Sequence, residues 1–196
     1  MTLKLNGSSS GSISIDAPAS TTGGADITLT LPEKGFGFTS YAVIVDRKAN
    51  DAGGGTFTTG DWRTRDLNHE ITDPDGIVSI SSNQFTLAAG SYLIQWWAPA
   101  YKVNEHQSRL YDITNSAVII EGKNSGNWQG SGDNTYEGYS DGLARVTPSG
   151  PTVYEIQHRC NYTVSNSGFG GPDNHNDDFT WASYAYYTRV FIQKEA

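Results

Sequence analysis

Four histidines, one cysteine, a serine-rich turn and an acidic loop are the residues whose types could do chemistry in this chain. Gly7-Ser8-Ser9-Ser10-Gly11 has the letters of the G-x-S-x-G nucleophile elbow. That motif works as a strained turn between a strand and a helix, with an acid and a histidine supplied later. Here the five residues stand in a low-complexity turn, and no catalytic residue is assigned. His69, His106, His158 and His175 are scattered, and no two share a metal-binding spacing such as H-E-x-x-H. Cys160 falls on the apolar side of an alternating strand, where a thiol packs as a small inert hydrophobe. Residues 173–178 (DNHNDD) gather oxygen ligands, and Asp173, Asp177 and Asp178 are the candidates for a cation such as calcium. The D-x-[DN]-x-[DN]-G spacing is missing, however, and a solvated polar loop is the simpler reading. Gly53-Gly54-Gly55 lacks the Lys-Ser/Thr of a phosphate-cradling loop. Neither enzymatic activity nor a cofactor is expected.

Binding chemistry is better represented. Tyr101, Trp128, Tyr136 and Phe169 stand in long polar stretches beside Asp173 and His175. Rings among short hydrogen-bonding side chains suit a glycan or protein receptor, and long loops carry function more often than tight turns do. In an up-and-down antiparallel run, the loops at 99–106, 122–138 and 165–178 follow alternate strands. They are expected at one end, with the turns at 115–116 and 148–151 at the other. The plainer alternative is that the rings only pin these loops down.

Strands must position those loops. Gly accounts for 22 of 196 residues, and no window shows helical periodicity. Residues 85–98 (FTLAAGSYLIQWWA) read as a short strand, a Gly-broken turn and a long strand. Tyr92, Ile94, Trp96 and Ala98 fall on one face, and Leu93, Gln95 and Trp97 on the other. Residues 181–193 carry Tyr184, Tyr186, Tyr187 and Phe191, with rings again on both faces. Strands apolar on both faces are covered on both sides. Tyr92, Trp96, Trp97, Tyr184, Tyr186, Tyr187 and Phe191 are therefore the candidates for a subunit interface. Residues 62–68 read as an edge strand, 107–114 and 117–121 as a hairpin, and 143–146 and 152–163 as strands. In the last of these, Tyr154, Ile156, His158, Cys160 and Tyr162 face one way, and Glu155, Gln157, Arg159 and Asn161 the other. The pattern predicts an all-β chain, an antiparallel β-sandwich of jelly-roll type.

Residues 1–35 differ. Leu3 and Leu5, then Ile13 and Ile15, then Ile27, Leu29 and Leu31 alternate with polar residues. Such short stripes need a partner, either elsewhere or on the chain's own domain. The expected division is an N-terminal attachment or trimerising segment, 1–35, and a jelly-roll domain, 36–196. A net charge of −8 disfavours nucleic acid and anionic membrane surfaces. No apolar run is long enough to span a bilayer, and MTLKLNGSSS lacks the n- and h-regions of a secretory signal. One cysteine permits no internal disulfide.

The run of Phe85, a short gap, then Gly90-x-Tyr92-x-Ile94 resembles the core strand pair of trimeric jelly rolls of the tumour necrosis factor and complement globular-head superfamily. The family spacing has one more residue between Phe and Gly. KLNGSSSGSISIDAPAS…ITLTLP resembles the N-terminal segment of marine-phage fibre and appendage proteins. The resemblance implies a homotrimer in which the central and final strands lie side by side. It implies a virion structural protein made in the host cytoplasm, joined to other virion proteins through residues 1–35. A tail-fibre or appendage tip mediating host attachment is the first expectation. A capsid decoration or head-fibre protein is the second, and a free carbohydrate-binding lectin domain the alternative from another class.

Overall fold

The computed structural model describes residues 2–6, 12–16, 37–127, 137–171 and 182–195. The chain divides into two compact units, Met1–Lys34 and Gly35–Ala196. In the first, β1 (Thr2–Asn6) and β2 (Ser12–Asp16) pair antiparallel, with Leu3 opposite Ile15 and Leu5 opposite Ile13. The stripe at 27–31 lies outside the described residues.

The second unit is all-β among the described residues, with two antiparallel sheets forming a sandwich. Its strands are β3 (Phe38–Ala49), β4 (Arg63–Thr64), β5 (His69–Thr72), β6 (Val78–Ser81), β7 (Gln84–Leu87) and β8 (Tyr92–Ala100). They continue with β9 (Asn104–Asp112), β10 (Ala117–Glu121), β11 (Ser125–Asn127), β12 (Gly138–Val146), β13 (Thr152–Cys160) and β14 (Tyr184–Glu195). One sheet has the order β12-β8-β14-β3-β5, and the other β10-β9-β13-β7-β6, with β11 on β9 and β4 on β13. Consecutive strands repeatedly cross between sheets, as β7 to β8 and β8 to β9 do, which makes this a jelly roll rather than an up-and-down run. The central strand β8 and the late strand β14 lie side by side, with Trp96 opposite Val190.

Local chemistry fixes the corners. Ser82 and Asn83 have φ of 53° and 65°, the two positive values that a tight hairpin between β6 and β7 needs. The Asp73 carboxylate accepts from Ile77 N and Val78 N, both at 2.9 Å, closing the turn before β6.

The core follows from strand alternation. Ile44, Ile94, Trp96, Val190 and Ile192 of one sheet meet Phe85, Leu87, Leu110 and Ile156 of the other, all fully buried. Each such side chain contributes roughly 1.5–3 kcal/mol by leaving water. Trp96 Nε1 donates to Ser108 Oγ at 2.8 Å, satisfying the indole inside the sandwich. A second cluster of Phe57, Ala100, Val103, Cys160 and Phe169 lies apart from it.

Several boundaries differ from the sequence reading; the strand expected over 152–163, for instance, ends at Cys160. The 62–68 strand shrinks to Arg63–Thr64, because Arg65 turns inward and is fully buried. The strand expected from 107 starts at Asn104, so the connection after β8 is only 101–103. The strand expected at 143 starts at Gly138, paired with Ala100.

Candidate functional site

The outer face of the five-stranded sheet is built by register. Across β3, β14, β8 and β12, one row reads Tyr41, Gln193, Leu93, Arg145, and the next Val43, Phe191, Gln95, Leu143. Arg189, Trp97 and Asp141 lie across a third. Leu143 is 52% exposed and Tyr41 45%, while Leu93, Trp97 and Phe191 are half-buried. Tyr41 and Phe191 sit 6.2 Å apart, tilted by 45°. The intervening rows, such as Ala42, Ile192, Ile94 and Ala144, point into the core. The inner face is thus apolar and the outer face mixed, with Phe191 standing between Arg189 and Gln193 on β14. Rings and aliphatics mixed with amides and guanidiniums are the composition of protein interfaces.

The interface candidates therefore separate. Trp97 and Phe191 lie on this outer face. Tyr184 and Tyr186 are each 45% exposed near the start of β14, and Tyr187 is half-buried. Tyr92 and Trp96 lie on the opposite face, fully buried within the sandwich, because alternation sends positions 92, 94 and 96 inward together.

At the end where β8 stops, two loops close over the sandwich. Gly54 N donates to Gly170 O, Gly55 N to Asn166 O, Phe57 N to Val164 O and Phe169 N to Gly55 O, all within 2.8–3.1 Å. Beneath them lies Arg65. Its Nε donates to Thr188 Oγ1, Nη1 to Pro99 O at 3.0 Å and Nη2 to Phe169 O at 2.7 Å. The guanidinium carbon stands 4.2 Å from the Phe169 ring centroid. Burial lowers the pKa of Arg65 to about 10, opposed by Asp46, Asp66 and Glu137, so it stays charged at neutral pH.

Tyr101 and Phe169 are corrected by this arrangement. Both are buried, at 6% and 7% exposure, where exposed binding rings were expected. Phe169 packs on Phe57 at 4.4 Å between ring centroids, and Tyr101 N donates to Gly168 O at 3.1 Å. These two rings hold the loops down. Trp128, Tyr136, Asp173, His175, Asp177 and Asp178 lie outside the described residues.

Sequence reasoning missed a small cleft at this end, about 210 Å³, lined by Asn50, Asp51, Glu137, Tyr139, Tyr184 and Tyr186 among others. Tyr139 donates from its hydroxyl to Glu137 Oε2 at 2.9 Å. Burial raises the Glu137 carboxyl and pushes Tyr139 up to about 12. The alternating run from Tyr139 to Val146 carried a signal for these outward side chains. His106 Nδ1 and His158 Nε2 stand 2.9 Å apart in the interior. Among the described residues, no group of three or more His, Cys, Asp or Glu side chains could hold a metal ion. Nor is any helix among them long and apolar enough to cross a membrane.

No family model matches the sequence, and neither does any curated protein. Among solved structures, the PRD1 vertex protein P5 is similar at 14% identity and a TM-score of 0.49, over 82% of this chain and 99% of that one. The globular domain of zebrafish complement 1qA protein follows at 13% and 0.47, over 79% and 95%. Murine APRIL gives 10% and 0.45, over 79% and 98%.

Proposed function

We propose that this chain is a non-enzymatic structural protein of a bacteriophage virion, a homotrimeric jelly roll at the tip of a fibre or appendage that contacts the host surface. The observation that carries the trimer is the outer face of the five-stranded sheet, where Tyr41, Leu93, Trp97, Leu143 and Phe191 are presented together. Closed rings place the same pair of patches in contact at every interface, and such a face supplies one of them. Residues 1–35 are the attachment segment, on the strength of their resemblance to phage appendage proteins. The attachment role follows from that resemblance.

Sedimentation equilibrium of the purified chain is expected to give three times the 21.2 kDa chain mass. Trp97→Glu with Leu143→Lys is expected to give a folded monomer. A wild-type chain that remains a stable monomer at micromolar concentration refutes the trimer. Binding of the trimer to host cells tests attachment. A trimer that binds no cells and co-purifies with heads refutes the tip reading in favour of decoration.

A further inference from the structure

The seven-stranded sheet also presents an outer face, and it differs from that of its partner sheet. On β9 the outward positions are Glu105, Gln107 and Arg109, and on β13 they include Gln157 and Arg159. Gln107 lies opposite Arg159 and Arg109 opposite Gln157. Trp62, just ahead of β4, is half-buried, with the Arg109 guanidinium carbon 3.9 Å from its ring centroid. Arg109 is fixed from the other side by donating from Nε to Gln157 Oε1 at 2.7 Å. Asn161 Nδ2 donates to Glu105 Oε2 at 2.8 Å and orients that carboxylate. Gln107 Nε2 donates to Gly122 O at 2.9 Å, which leaves its amide oxygen available.

Trp62, Glu105, Gln107, Arg109, Glu121 and Arg159 line a cleft of about 730 Å³. Small-molecule clefts run from roughly 300 to 1,000 Å³. Glu121 and Arg159 are exposed, and the Glu121 carboxylate acts electrostatically on Arg109. The chain carries −8 overall, yet this lining balances two carboxylates against two guanidiniums. A polyanion or a polycation would meet like charge here. An uncharged ligand rich in both donors and acceptors would not. Carboxylate, amide and guanidinium groups each present paired hydrogen-bonding atoms in a plane, a geometry that suits adjacent hydroxyls. An indole beside them gives an apolar surface for the C–H face of a sugar ring.

We propose that this cleft binds a neutral oligosaccharide. Trp62 packs against one pyranose with the ring face that Arg109 does not cover, Glu105 and Glu121 accept from its hydroxyls, and Arg159 and Gln107 complete the polar contacts. This deepens the attachment reading and rests on it. It places the contact on the flank of the sandwich rather than on its loop end. A trimer then carries three such sites, so weak single contacts combine on a polysaccharide surface.

The test is calorimetric titration of the full-length chain with maltotriose, cellotriose, mannotriose and triacetylchitotriose. Trp62→Ala and Arg159→Ala are run alongside after their fold is checked by thermal melting. At least one saccharide is expected to bind at millimolar affinity, and each substitution to weaken it about tenfold. Failure of all four to bind, or equal binding by both folded variants, overturns the proposal. Host-cell binding separates the two readings. If both variants bind cells as well as wild type, the attachment reading stands and this site falls. If the sugar binds but no cells do, the site stands and the attachment reading falls.

Discussion

Asp46→Asn should change how stability depends on pH by about 3 kcal/mol, and the reason is visible around one carboxyl. Asp46 is fully buried; Oδ1 lies 3.1 Å from Lys48 Nζ, and Oδ2 has no hydrogen-bond partner. Burial, opposed by Lys48 and Arg65, raises its pKa from 3.8 to about 6. The folded chain therefore takes up this proton below about 6, while the unfolded chain waits until 3.8. This group adds stability as pH falls through that range, by about 3 kcal/mol in full. The buried histidines act the other way. Burial, then Arg65, lowers His106 from 6.5 to about 4, and His158 lies well below its ordinary value for the same reasons. The unfolded chain protonates them first, so their contribution is present above 6.5 and lost as pH falls towards 4. In wild type the carboxyl offsets part of that acid loss. Asn at 46 removes the offset. Urea unfolding followed by tryptophan fluorescence at pH 7, 5.5 and 4, at one fixed protein concentration, reads the difference. The variant is expected to lose about 2 kcal/mol more than wild type between pH 7 and 4, the remainder of the full effect falling below pH 4. Parallel profiles for the two proteins would refute the reasoning.

Two further outcomes are expected. A Cβ at Gly142 would overlap the Trp96 ring, so Gly142→Ala should cost about 1–3 kcal/mol in denaturant unfolding, with a changed near-ultraviolet signal from the displaced indole. Burial pushes the Cys160 thiol up to about 11, so native protein at pH 8 should resist iodoacetamide, read as unchanged mass, and become alkylated only in denaturant.

Strand periodicity made much of the sandwich legible. Alternation through 92–98 and 184–192 marked β8 and β14 as strands apolar on both sides, and alternation through 154–160 put Cys160 inside. Which face met the core was a separate matter, and Tyr92 and Trp96 belong to the chain's own interior. The loop end was not legible. In sequence Gly53-Gly54-Gly55 reads only as a glycine run without the Lys-Ser/Thr of a phosphate loop, yet the bare backbone lets residues 53–57 lie directly on 164–170; a Cβ at Gly54 would come within 2.8 Å of the Phe169 carbonyl. That contact buries Phe169 and gives Arg65 an acceptor 104 residues away. No local pattern encodes a pairing at that distance. The Trp62 cleft was half legible: Glu155, Gln157, Arg159 and Asn161 were assigned together to one face, but the partners from β9 and from the approach to β4 depend on topology.

The position of β14 inside its sheet has a consequence for synthesis. It pairs with β3 on one side and β8 on the other, although more than 80 residues separate β8 from its start. A ribosome releases β3 and β8 long before the strand that must lie between them. Until Tyr184–Glu195 emerges, both hold open, unpaired backbone edges flanked by apolar side chains. The sheet cannot close progressively, and folding waits on a late insertion between distant partners, a slow and non-local step. Ribosome stalling or truncation ahead of residue 184 would leave nascent chains with complementary sticky edges, prone to pair with one another.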